Sequence, residues 1–207
     1  MKLTDYHTII LASKSPRRLD ILHAHGLEPV VLPTDTDEVL PEGIGMEDAV
    51  ILLSGSKAAA SAADPATLSV LRQQGALPAL VIAADTIVFK EEIMGKPEDR
   101  RDAFRMLDAI RGTFHRVATG VTLLHYAAGA DLHAPVTRSF CDVTTVWCKD
   151  YTDEEIYAYI DAEPPYDKAG SYAIQSSFAG HIDHIEGDYE NVVGLPFYRI
   201  GPACDEF

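Results

Sequence analysis

The residues most suited to chemistry begin at Ser13-Lys14-Ser15-Pro16-Arg17-Arg18, between an apolar run at Thr8–Ala12 and a helical pattern at Leu19, Ile21 and Leu22. This order builds an anion site at a helix start. Ser15 takes the N-cap position, where its hydroxyl accepts from orphan backbone N–H groups. Pro16 at the first helical position loses no hydrogen bond. The helix dipole and its N–H groups then face an anion above the strand. As structural residues Arg17 and Arg18 are out of place, since a cation at a helix start costs about 0.3–1 kcal/mol. A site that bears this cost uses the charge, and phosphate is the natural partner of a guanidinium. The plainer alternative is a capped, solvated helix start.

A second signal is Asp85, inside the strongest apolar run of the chain, Ala79-Leu80-Val81-Ile82-Ala83-Ala84-Asp85-Thr86-Ile87-Val88-Phe89. That run reads as a central strand buried on both faces. Aspartate is depleted in strands, and an unpaired buried carboxylate is strongly destabilising. Asp85 is therefore a functional candidate, against the alternative of an Asp held by ordinary hydrogen bonds. Asp35, Asp37 and Glu38 crowd a short polar loop. Such a loop is usually just solvated. The sharper reading is a metal-binding edge, because Mg²⁺ takes carboxylate oxygens together with substrate phosphates. Two isolated lysines stand out: Lys57 within a helical stretch, where a lone lysine is normally a surface residue unless the helix packs beside the phosphate site, and Lys96 in the tight Gly95-Lys96-Pro97 segment. His181 and His184 are three apart but lack a third ligand at sensible spacing, so they read as ordinary polar residues.

Elements that position these residues follow from periodicity. Residues 8–12 form a strand and 15–25 a helix ended by Gly26. Residues 28–33 read as a second strand. Residues 46–63 are helical, with Met46, Val50, Leu53 and Ala60 at helical spacing. Residues 64–78 form a peripheral excursion with a short helical stretch around Leu68–Gln74. After the central strand, residues 90–94 turn back and 98–110 form an amphipathic helix. Two long strand patterns, 114–126 and 136–148, make an antiparallel ribbon. A capping box from Thr152 to Glu155 opens a helix that Pro164-Pro165 stops. The last third is loop-rich. The pattern is α/β, in a single domain over residues 1–207.

Composition sets the limits. The chain has 207 residues, 47% of them hydrophobic, enough to bury a core. Its net charge is −15, from 32 acidic and 17 basic residues. That balance argues against nucleic acid or an acidic membrane as the partner. It leaves room for a small phosphorylated ligand held by a few local cations. No apolar run is long enough to span a membrane, and Met1–Tyr6 carries no apolar signal core. Cys141, Cys148 and Cys204 follow no metal spacing and read as reduced thiols. A cytoplasmic location is expected.

Taken in order, the segments resemble the Maf family of nucleotide pyrophosphatases. The resemblance is carried by Ser13–Arg18, Lys57, Ala84-Asp85-Thr86-Ile87-Val88, Gly95-Lys96-Pro97, Asp167-Lys168-Ala169-Gly170, Tyr172-Ala173-Ile174-Gln175 and Val193-Gly194-Leu195-Pro196. It covers nearly the whole chain. Each motif is weak, but their ordered set is specific. The resemblance implies an elongated mixed sheet flanked by helices, with two lobes around a cleft, as in the inosine-triphosphate pyrophosphatases. It implies cleavage of nucleoside triphosphates to the monophosphate and pyrophosphate with Mg²⁺ or Mn²⁺. At Arg17, Thr86 and Gln175 the chain is similar to the subgroup that prefers dTTP, UTP and modified pyrimidine nucleotides. Asp85 is then expected as the general base, Glu38 and Asp85 as metal ligands, and Ser13, Arg17, Arg18, Lys57, Thr86, Lys96 and Gln175 as substrate contacts. The resemblance admits a homodimer. Lys14, Ser171 and the length of the 64–78 segment depart from the family pattern. The family's first name, for septum-formation inhibition, suggests the alternative of a non-enzymatic, nucleotide-binding regulator of cell division. Asp85 speaks against that alternative, because a pure binder needs no buried carboxylate facing phosphate.

Overall fold

A computed structural model describes residues 1–129 and 131–207; Ala130, in the connection between the two long strands, lies outside the described residues. The chain runs β1 (Thr8–Leu11), α1 (Pro16–Ala24), β2 (Val30–Val31), α2 (Met46–Ala63), α3 (Pro65–Leu71), β3 (Ala79–Lys90) and β4 (Glu92–Met94). It continues with α4 (Arg100–Ile110), β5 (Phe114–Tyr126), β6 (Val136–Cys148), α5 (Asp153–Ala162), β7 (Ile182–Glu186), α6 (Tyr189–Val193) and α7 (Ile200–Asp205). The strands form one seven-stranded sheet in the order β2-β1-β3-β5-β6-β7, with β4 also paired to β3. It is mixed. β1 pairs in parallel with β2 and with Ala79–Ile82 of β3, whereas β4 pairs antiparallel with Val88–Lys90 and β7 antiparallel with β6.

Two compact units divide the chain, and β3, β5 and β6 contribute residues to both. The first comprises Met1–Asp85, Gly120–Cys141 and Gly194–Phe207; the second comprises Thr86–Thr119 and Asp142–Val193. In the first unit, Ile10, Ala12, Val81, Ala83, Leu124 and Tyr126 pack on Ala58 of α2 and Leu71 of α3. Burial of such side chains contributes about 1.5–3 kcal/mol for each large one. The 64–78 segment is helical earlier than expected, over Pro65–Leu71, because Asp64 caps it by accepting from the Ala66 N–H and Pro65 occupies the first turn. Leu71 is then buried in the core instead of lying at the periphery. The second strand is shorter than its apolar pattern. Only Val30 and Val31 pair with β1, and both remain exposed at the sheet edge.

The second unit packs α4 against α5. α4 buries Ala103, Met106, Leu107 and Ile110, which recur at helical spacing. The expected capping box opens α5: Thr152 accepts from the Glu155 N–H, and the Glu155 carboxylate accepts from the Thr152 N–H. His115 of β5 is only 1% exposed, with its Nε2 2.6 Å from the Tyr172 hydroxyl. Burial, helped by the nearby Lys90 cation, pushes the His115 pKa down to about 3. The unfolded chain protonates a histidine near pH 6.5. Between those values the unfolded state binds a proton that the folded state refuses, so stability falls as pH drops through the window. This group contributes a slope of up to about 1.4 kcal/mol per pH unit. His115→Asn should flatten that dependence between pH 6.5 and 4, whatever its overall stability, when urea midpoints are followed against pH.

Candidate active site

The strand-to-helix turn after β1 is built around Ser13 and Arg18. Ser15 is the N-cap residue of α1, but its side chain makes no cap bond. The hydroxyl that bonds at this turn is that of Ser13: its Oγ accepts from the Ser15 N–H at 3.2 Å and from Arg18 Nη1 at 3.0 Å. A serine hydroxyl commonly accepts from the N–H two residues on. Arg18 stands three and four residues before Ile21 and Leu22, so it shares their inward face and is buried. Its Nε donates to the Gly194 carbonyl at 2.8 Å. Burial lowers the Arg18 pKa from its usual value. The charges of Asp85 and Glu38 work the other way and favour the guanidinium, and Arg17 opposes it. Arg17 is half-buried.

Lys57, Glu38 and Asp85 form the other half of the group. Lys57 follows Val50 by seven residues and Leu53 by four, both of which α2 buries. Helical spacing therefore turns Lys57 inward. Its ammonium contacts Asp85 Oδ1 and lies 3.0 Å from Glu38 Oε1. Asp85 is 7% exposed, so the carboxylate buried in β3 is paired. The loop that carries Glu38 is drawn to the same helix by Thr34, whose hydroxyl donates to the Lys57 carbonyl at 3.4 Å. Ser13, Arg17, Arg18, Glu38, Lys57 and Asp85 all belong to the first unit.

Thr86, Lys96 and Gln175 belong to the second unit. Asp85 and Thr86 are consecutive in β3, so their side chains leave opposite faces. Asp85 turns to Lys57 of α2, whereas the Thr86 hydroxyl lies 2.9 Å from that of Thr119. Thr119 in turn donates to the Asn191 carbonyl, and Asn191 Nδ2 donates to the Val117 carbonyl and to Thr144 Oγ1. Lys96 and Gln175 are exposed. Gly95, beside Lys96, accepts from the Gly170 N–H at 3.0 Å, which ties two of the sequence motifs together. Gly170 has φ +67, and a Cβ there would meet Val88 at 2.8 Å. That position excludes a side chain.

Two parts of this arrangement leave no mark in the local sequence. The Gly194 carbonyl holds Arg18 from a point 176 residues away. Gly120 of β5 lies against the backbone of α2, where a Cβ would come within 2.2 Å of the Val50 carbonyl oxygen. Lys57, which as a lone lysine on a helix reads as a surface residue unless that helix packs beside the phosphate site, is turned inward onto Asp85 and Glu38.

Whether the group fits a divalent ion can be tested on its donors. Glu38 and Asp85 both contact the Lys57 ammonium, and their charges also act on the Arg18 guanidinium. Among the described residues no three His, Cys, Asp or Glu side chains converge as a metal cage, and His184 pairs with Asp183 instead. Mg²⁺ is commonly held by one or two carboxylates plus substrate phosphates and waters. Two carboxylates brought together by one ammonium fit that mode and do not fit an all-protein cage.

Comparison with known proteins decides the family. The model of the family described as Maf-like protein matches residues 8–207. The chain belongs to the Maf-like proteins. It is 40% identical over 199 residues to a dTTP/UTP pyrophosphatase of Acetivibrio thermocellus, covering 96% of this chain and 94% of the relative. It is 42% identical over 196 residues to a protein of the same name from Geotalea uraniireducens, covering 94% and 92%. A third, from Lachnoclostridium phytofermentans, is 39% identical over 206 residues, covering 97% and 95%. The mixed α/β sheet of this Maf-like protein agrees with the expected fold class. None of its helices is long and apolar enough to cross a membrane among the described residues.

Proposed function

We propose that this Maf-like protein hydrolyses nucleoside triphosphates, dTTP and UTP first among them, to the monophosphate and pyrophosphate. The observation that carries this reading is the buried Asp85 carboxylate paired with Lys57, in the same unit as the anion-binding turn of Ser13 and Arg18. Relatives matched over nearly their full length bear the name dTTP/UTP pyrophosphatase.

The chemistry follows from the residue types. Arg17, Arg18 and Lys57 offset phosphate charge, the guanidiniums by paired hydrogen bonds and the ammonium as a point charge. Ser13 and Gly194 hold the Arg18 fork in place, so little orientation remains to be lost when phosphate binds. A water attacks the α-phosphorus, Asp85 accepts its proton, and the bond to the α–β bridging oxygen breaks to release pyrophosphate. A carboxylate is by its chemistry a weak base at neutral pH. Glu38 and Asp85 would hold a Mg²⁺ or Mn²⁺ ion, which when bound eases that mismatch by acidifying water and neutralising phosphate charge. Thr86, Lys96 and Gln175 are assigned to substrate by the family motifs, with Arg17, Thr86 and Gln175 setting the pyrimidine preference.

The test is pyrophosphate release with Mg²⁺ across a panel of nucleoside triphosphates. Fastest release from dTTP and UTP is expected, and no release from any triphosphate overturns the reading. Arg17→Ala should compress the preference for dTTP and UTP over purine triphosphates by about tenfold or more, the size of one lost specific contact, with little change in melting temperature. A panel unchanged from the native protein would remove Arg17 from substrate selection.

A further inference from the structure

Lys57 stands between the two carboxylates assigned to the metal. Its ammonium has three N–H donors and no acceptor. One carboxylate contact is with Asp85 Oδ1 and the other is with Glu38 Oε1 at 3.0 Å. The Lys57 and Asp85 side chains are largely enclosed, at 14% and 9% exposed, and that of Glu38 is 49% exposed. A surface lysine would lose little by leaving such a pair. This one satisfies a buried carboxylate that is strongly disfavoured when unpaired.

We propose that Lys57 is a resident counter-cation in direct contact with both Glu38 and Asp85, and that the site therefore takes a divalent ion with nucleotide phosphates but not as the free ion. This rests on the reading of Glu38 and Asp85 as the metal-holding pair. Free ion and ammonium compete for the same oxygens, and each repels the other at close range. Phosphate removes the conflict. It offers Lys57 new acceptors, and the flexible four-carbon stem lets the ammonium move to them. The carboxylate oxygens that Lys57 releases become ligands only when phosphate oxygens are also present to complete the coordination. Nucleotide and ion then bind with positive coupling, each raising the affinity for the other. Lys57 acts as a gate on metal loading as well as a phosphate contact.

The test needs no turnover. Mn²⁺ is titrated into nucleotide-free protein, and unbound Mn²⁺ is followed by electron paramagnetic resonance. Lys57→Met is expected to bind free Mn²⁺ at least tenfold tighter than the native protein. Lys57→Gln should do the same and carries the test if circular dichroism shows the methionine variant unfolded. Lys57→Arg keeps the charge and should stay as weak as native. Lys14→Met removes a cation that pairs with the exposed Asp35, and should change Mn²⁺ affinity less than twofold. A non-hydrolysable dTTP analogue should raise the Mn²⁺ affinity of the native protein at least tenfold over that of protein and analogue measured apart. If the analogue recruits Mn²⁺ but neither Lys57→Met nor Lys57→Gln gains affinity, the gating role is overturned and the metal pair stands. If Mn²⁺ binds neither the variants nor the native protein with analogue, the metal pair itself is wrong and the gate falls with it.

Discussion

Asp85→Asn is expected to lower pyrophosphate release from dTTP by about 10²–10⁴-fold, the range spanned by general acid–base catalysis. The substitution keeps the size of the side chain and removes its charge. Lys57 retains Glu38 as a partner at 3.0 Å, and its side chain still reaches solvent. The variant is therefore not left with a fully uncompensated buried cation, the case that would cost most. A cooperative melt alongside lost turnover would place the effect on the reaction. Native-level release from a folded Asp85→Asn protein would end the assignment of Asp85 as base. The measurement is a time course of pyrophosphate, with circular dichroism melts of both proteins.

Gly120→Ala should be the most damaging single-methyl change in the first unit. A Cβ at Gly120 would sit 2.2 Å from the Val50 carbonyl oxygen, 2.4 Å from its carbon and 2.9 Å from the Ile51 nitrogen. These are backbone atoms, so no rotamer change relieves the clash, and α2 must move away from β5. Overpacking of this kind costs about 1–3 kcal/mol, occasionally more, and the upper end is expected here. Activity should fall as well, because α2 carries Lys57 two turns beyond Val50. Gly55→Ala on the same helix is the matching control. Nothing lies within 4 Å of its added methyl, and alanine is favoured over glycine in a helix interior by about 0.5–1 kcal/mol. Urea midpoints should thus move in opposite directions for the two variants. Equal shifts would mean that the close approach of α2 to β5 is not a constraint.

The elements that repeat a short period were legible from sequence. The helix at 46–63 and the strands at 114–126 and 136–148 have the boundaries that their patterns predict. Their apolar residues recur at one spacing over many positions, so each residue reinforces the same assignment. The 28–33 strand is confined to Val30 and Val31, which pair with β1 between Pro29 and Pro33; proline has no N–H to donate to a ladder. The cap expected at Ser15 is not made, and the hydroxyl that bonds at this turn is that of Ser13, to the Ser15 N–H and to Arg18. Arg18 is brought to Ser13 by the inward face of α1, which the two serines alone do not record.

For the site, residue type and place were enough to select Asp85 and the pair Arg17 and Arg18, whereas Lys57 was selected by the family resemblance. A carboxylate in an apolar strand and cations at a helix start are unfavourable unless they are paired or used. Sequence by itself thus determined that Asp85 lies inside and which elements carry the charges, and the packing decided that Arg18 and Lys57 turn inward. Tertiary structure decided the pairing: Lys57 with Asp85 and Glu38, Arg18 with Ser13 and Gly194, Thr86 with Thr119. It also decided that Gly120 must have no side chain. The physical reason is range. Burial preference and helical or strand spacing act within a few residues and leave a local imprint. A hydrogen bond or a steric contact depends on where two distant backbones meet, and no single stretch of the chain records that.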